Sequence, residues 1–129
     1  MKLEHVAVNV ADPVKMTQWY VDHLGMTIVR AMDKAPFTHF LADDSGNVMI
    51  EIYNNPPDQV PDYRSMHPLL LHLAFVSNDP DADRARLEKA GATFVEEVRP
   101  EAGAHLVMMR DPWGLAVQLC KRAKSMLKG

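Results

Sequence analysis

Leu3-Glu4-His5-Val6-Ala7-Val8-Asn9-Val10-Ala11-Asp12-Pro13 returns 67 positions later as Leu70-Leu71-His72-Leu73-Ala74-Phe75-Val76-Ser77-Asn78-Asp79-Pro80. Leu3, His5, Ala7, Asp12 and Pro13 fall on Leu70, His72, Ala74, Asp79 and Pro80. The same offset lays Asp44-Ser45-Gly46-Asn47-Val48-Met49-Ile50-Glu51 on Asp111-Pro112-Trp113-Gly114-Leu115-Ala116-Val117-Gln118. Identities alone are few, but their order is informative. A histidine in an apolar run, an Asp-Pro pair, a helix-like stretch and a turn feeding an apolar alternation occur twice in the same sequence.

Each half predicts one plan. Residues 3–10 and 69–77 are rich in Val, Leu and Phe and end in turn formers, which is the pattern of a strand. Asp12 and Asp79 suit helix N-caps, and Pro13 and Pro80 suit the first helical position, where no backbone donor is needed. Gly25 and Gly91 suit the helix ends. Met16, Tyr20 and Leu24 recur every four residues as a face to bury, whereas the second helix offers only Leu87 and Ala90 beside further alanines. Three more strands are expected per half, at 27–32, 38–42 and 48–53, then at 93–98, 105–110 and 115–120. The predicted fold class is α+β, with two βαβββ modules at 1–54 and 68–121 joined by a Pro-rich linker at 55–67. Residues 121–129 read as a short basic tail or helix.

Composition bounds the function. The chain has 129 residues, 47% hydrophobic and 24% charged, which is one domain with room for a core. Fourteen Lys and Arg against seventeen Asp and Glu leave a net charge of −3, too acidic for a phosphate backbone, so no nucleic-acid partner is expected. No apolar stretch reaches the roughly 20 residues of a membrane span. The N-terminus carries Glu4 and His5 where a signal peptide would be apolar, and Cys120 is the single cysteine, so a reducing cytoplasm is the expected location. Nine methionines suit core filling.

Strand alternation then isolates four polar positions. Val6, Val8 and Val10 form one face of the first strand, and His5, Ala7 and Asn9 the other; Ile50 and Ile52 oppose Met49, Glu51 and Tyr53. In the second half Leu71, Leu73 and Phe75 oppose His72 and Ala74, while Leu115, Val117 and Leu119 oppose Ala116, Gln118 and Cys120. The aliphatic faces are expected to meet the helices. The other faces carry His5 and Glu51, then His72 and Gln118, with 46 positions separating the members of each pair. A lone strand histidine is most often a hydrogen-bonded structural residue, but two in matched register, each with Glu or Gln, fit a divalent metal centre. Two imidazoles and a carboxylate suit Zn, Ni, Co, Mn or Fe, and a glutamine oxygen can add a neutral ligand or bind a metal-bound water. His23, His39, His67 and His105 have no such pairing and read as surface or supporting residues, with His39 and His105 at a cavity rim.

At these residues the sequence resembles the vicinal oxygen chelate superfamily, which includes glyoxalase I, bleomycin- and fosfomycin-resistance proteins, methylmalonyl-CoA epimerase and extradiol dioxygenases. The matching segments are His5 to Val10 with Asp12-Pro13, Trp19-Tyr20-Val21-Asp22-His23-Leu24-Gly25-Met26, Met49-Ile50-Glu51-Ile52, His72-Leu73-Ala74-Phe75, and Asp111-Pro112-Trp113-Gly114 leading into Gln118-Leu119. The resemblance implies a single glyoxalase-like domain over 1–129, with an open, cupped mixed sheet around one divalent metal ion. It also implies His5, Glu51, His72 and Gln118 as metal ligands, Glu51 as the proton-moving residue, a small-molecule substrate chelated through vicinal oxygens, and a homodimer. Met49, Tyr53, Arg110 and Trp113 are the expected substrate contacts.

Within that superfamily, the expected activity is a metal-dependent, lactoylglutathione lyase-like lyase or isomerase. Gln118 cannot take a proton as a carboxylate would, which leaves Glu51 alone for that role. An epimerase of the methylmalonyl-CoA type is an alternative, although that enzyme carries its Gln in the first module and its Glu in the second. Extradiol dioxygenases are typically far longer, and a phosphonate-binding enzyme needs cations that only Arg110 supplies nearby. The third reading is a metal-free binding protein of the bleomycin-resistance type, its cavity lined by Trp113, Tyr53 and methionines.

Overall fold

The computed structural model describes residues 1–127. The chain divides into two compact units, Met1–Pro61 and Asp62–Gly129. In the first, strand β1 (His5–Asn9) leads to helix α1 (Pro13–Leu24) and strands β2 (Thr27–Ala31), β3 (His39–Ala42) and β4 (Met49–Tyr53). In the second, β5 (His72–Val76) leads to α2 (Pro80–Lys89), β6 (Thr93–Val98), β7 (His105–Arg110) and β8 (Ala116–Lys121). The fold is α+β, two βαβββ modules, each with an open, mixed, four-stranded sheet. The sheet orders are β1-β4-β3-β2 and β5-β8-β7-β6, so the first and last strands of each module are parallel neighbours.

The helix starts follow the sequence. The carboxylate of Asp12 accepts the Lys15 N–H at 3.1 Å, and that of Asp79 accepts the Ala82 N–H at 3.1 Å, with a proline opening each helix. Gly25 closes α1 in the left-handed conformation at φ 69°. Helix α1 buries Met16 and Tyr20 as expected, together with Thr17 and Trp19, while Leu24 is only half-buried. These pack with Val8, Val10, Leu41 and Ile52, all nearly inaccessible. Helix α2 buries only Pro80 and Leu87, and the Arg84 guanidinium lies 3.5 Å over the Phe94 ring. The second core is therefore built mainly by the sheet, from Val107, Met109, Val117 and Leu119, with Leu115 just before β8.

Three expectations shift. Val6 is 42% exposed because β1 is an edge strand and only its C-terminal half is covered. Residues 69–71 lie outside β5: Leu70 N–H bonds the His67 carbonyl at 3.0 Å in a turn, and Leu69 and Leu70 are exposed. The basic tail forms no helix among the described residues; Lys121 closes β8, and Lys128 and Gly129 lie outside them. No helix among the described residues is long and apolar enough to cross a membrane.

Candidate functional site

Residues directly opposite one another in a sheet share a face. In the first unit Ala7, Glu51, Phe40 and Arg30 form one row across the four strands, and His5, Met49, Ala42 and Thr27 form the next. His5 and Glu51 are thus diagonal neighbours across the parallel β1/β4 pair, with His5 Nε2 3.6 Å from Glu51 Oε1. Both are partly exposed, at 35% and 21% of their side chains, so the pair is open to a ligand rather than sealed in the core.

The imidazole of His5 is held on two further sides. Its Nδ1–H donates to Glu4 Oε1 at 2.9 Å, and its ring meets Phe40 edge-on, with centroids 5.5 Å apart. A donor at Nδ1 leaves Nε2 with the free lone pair, the tautomer a metal ligand requires. Beside the pair lies a small cavity of about 200 Å³ lined by Glu4, Val29, Arg30, Phe40 and Met49. Tyr53 sits half-buried two residues beyond Glu51 on the same face.

The second unit repeats the register. His72 is opposite Ala116, and Ala74 opposite Gln118, just as His5 is opposite Met49 and Ala7 opposite Glu51. His72 Nδ1–H donates to the Pro68 carbonyl at 3.1 Å, so in the neutral ring Nε2 again carries the lone pair. Gln118 Oε1 accepts the Cys120 thiol at 3.2 Å. Burial pushes the Cys120 thiol up, partly offset by Arg122, so it stays protonated and able to donate. An amide oxygen has two lone pairs, so Gln118 keeps one for another partner.

Arg110 ends β7, and Trp113 lies in the turn before β8. Arg110 Nη1 donates to the carbonyls of Tyr63 at 2.8 Å and Gly114 at 3.0 Å, and its Nη2 donates to Met66 at 2.8 Å. Its charge is thereby spread over three backbone oxygens that fix the segment around Tyr63 to Met66. Trp113 is half-buried, and its N–H bonds the buried carboxylate of Asp111 at 2.9 Å, which also accepts Leu115 N–H at 3.0 Å.

Sequence reasoning missed Glu4, the Pro68 carbonyl and Arg30. Glu4 precedes the strand, where alternation does not apply, and a backbone acceptor leaves no mark in residue type. Arg30 follows a bulge between Ile28 and Arg30 that resets the alternation. Of the other histidines, His39 is buried and donates from Nδ1 to the Phe37 carbonyl at 2.7 Å.

Comparison with known proteins identifies the family and the fold. The family model described as "Glyoxalase/Bleomycin resistance protein/Dioxygenase superfamily" matches residues 2–119. The chain belongs to that superfamily. A probable lactoylglutathione lyase from Vibrio cholerae is 26% identical, over 99% of this chain and 97% of its own length. Among solved structures, SMU.1112c superposes with a TM-score of 0.70 at 28% identity, covering 93% of this chain and 98% of its own. TnmS3, an antibiotic binding protein from Streptomyces sp. CB03234, has a TM-score of 0.70 at 20% identity, over 93% of this chain and 94% of its own, and so shares the fold.

Proposed function

We propose that the chain is a metal-dependent, glyoxalase-like lyase or isomerase of a small substrate with vicinal oxygens, with His5, Glu51, His72 and Gln118 as ligands of one divalent ion. The observation that carries this reading is the pair of tethered imidazoles. Each histidine donates from Nδ1 to an oxygen and leaves Nε2 as its free nitrogen. The donor spacing also fits. Two donors each about 2.0–2.2 Å from an ion at a tetrahedral angle lie roughly 3.4 Å apart, and His5 Nε2 and Glu51 Oε1 are separated by 3.6 Å.

A bound divalent ion would supply Lewis-acid polarisation of the substrate oxygens. Glu51, the carboxylate among the four, would move the proton between adjacent carbons. Met49, Tyr53 and Trp113 would contact the substrate, and Arg110 would act by holding the segment around Tyr63 to Met66 in place. The proposal takes 1–129 as one glyoxalase-like domain, modules 1–54 and 68–121 joined by 55–67, and includes a cytoplasmic homodimer.

Turnover of the hemithioacetal that yields lactoylglutathione tests the reading, because the Vibrio cholerae relative is named for that product. The expected result is turnover that a chelator abolishes and one of Zn, Ni, Co, Mn or Fe restores. Solvent-deuterium exchange into acyl thioesters without hemithioacetal turnover would instead identify the epimerase. Neither activity with any ion would overturn the enzyme reading in favour of the metal-free binder; TnmS3, which shares the fold, is described as an antibiotic binding protein.

A further inference from the structure

His105 stands apart from the pairs described above. It faces α2, since it lies two residues from buried Val107 on β7, whereas Gln118 is opposite Met108 on the other face of the same sheet. Strand β6 has a bulge between Phe94 and Glu96, so Glu97 is opposite Val107 and shares the α2 face with His105. The first turn of α2 adds Asp81. One donor atom from each of Asp81, Glu97 and His105 lies within 4.8 Å of the others.

Three elements thus bring an imidazole and two carboxylates together beside a cavity of about 590 Å³ whose walls include Asp79, Asp81, Arg99, His105 and Lys121. The imidazole is only 4% exposed, and its Nε2 points into the cluster, 2.7 Å from Glu97 Oε2. The hydrogen bond from His105 holds the Glu97 carboxyl below the usual carboxylate range, so it is ionised at neutral pH.

We infer that Asp81, Glu97 and His105 form a second divalent-cation site at the start of α2. A His105–Glu97 pair alone would leave Asp81 near a second carboxylate with only a long contact, 3.9 Å, to Arg99. Such an exposed pair adds little. A divalent ion in place of the imidazole proton neutralises both carboxylates at once. Insertion requires the His105 to Glu97 separation to open by roughly 0.7 Å, and Glu97, with 43% of its side chain exposed, has room to swing outward. The partial positive charge at the start of α2 opposes a cation, as do Arg99 and Lys121 on the cavity wall, and the carboxylates of Asp79, Asp81 and Glu97 are the charges set against them. Mixed imidazole and carboxylate donors suit Zn²⁺ or Mn²⁺, with cavity-side positions left to water.

The test uses the full chain with His5→Ala and His72→Ala, so that the proposed metal centre does not contribute. Equilibrium dialysis against Zn²⁺ should give one ion per chain, and Zn²⁺ should shift the His105 ring resonances. Asp81→Asn and Glu97→Gln keep the size of exposed side chains, and unchanged thermal unfolding of each variant verifies that the fold is kept. Each should weaken Zn²⁺ binding by about tenfold or more. No Zn²⁺ bound to the doubly substituted chain, unmoved His105 resonances, or unchanged affinity in either carboxylate variant would overturn the site.

Discussion

A Glu51→Gln protein is expected to keep its metal ion and to lose about 10²–10⁴-fold in kcat. The amide oxygen can still donate to an ion, as Gln118 is proposed to do, so the substitution separates ligation from basicity. It retains the shape of a half-buried side chain 3.6 Å from His5 Nε2 and removes its ability to take a proton. Glu51 is the one carboxylate among the four proposed ligands, so no second ligand inherits the proton. The loss should appear in kcat with KM little changed, because a missing base acts on the chemical step. Unchanged kcat with the metal retained would move the base elsewhere, with Glu4, 2.9 Å from the far side of His5, the nearest alternative in that unit.

Gly114→Ala is expected to destabilise the protein by about 3–5 kcal/mol, a large share of a typical domain's stability. Gly114 sits at φ 95°, and a Cβ there would lie 2.7 Å from Arg64 Cα and 2.8 Å from Arg64 N. Backbone atoms cannot swing aside as a side-chain end can. The Arg64 segment is also pinned, by Arg64 to the Pro112 carbonyl at 2.7 Å and by Arg110 to Tyr63 and Met66. Gly46→Ala is the control. It has a similar positive φ of 68° with nothing within 4 Å of the new Cβ, so only the conformational cost of about 1 kcal/mol applies. Thermal unfolding should show a Tm for Gly114→Ala lower by on the order of 10 °C. Equal losses in the two variants would show that close approach at Gly114 does not matter.

The repeat made most of the fold legible because the physics behind each landmark is local. An Asp-Pro pair caps and opens a helix wherever it follows a strand, and both pairs here do so. Alternation also placed His5 with Glu51 and His72 with Gln118, in registers that the two parallel pairings reproduce. What sequence left hidden depends on broken alternation or on backbone atoms. The bulges after Ile28 and Phe94 set Arg30 beside Phe40 and Glu97 beside Val107, each a step away from strict alternation. The Pro68 and Tyr63 carbonyls, which orient His72 and engage Arg110, carry no signature in residue type. Arg110 accordingly read from sequence as a substrate contact, while its guanidinium is bonded to three carbonyls.

The central claim is that the two histidine-bearing strand pairs supply one metal centre. Elemental analysis tests it most directly, on extensively dialysed protein carrying Asp81→Asn and Glu97→Gln so that the α2 cluster contributes nothing. The account predicts one divalent ion per chain, and its loss when His5→Ala and His72→Ala are added. Equal metal content with and without the histidines, or no metal in either after reloading with Zn, Ni, Co, Mn and Fe, would contradict it.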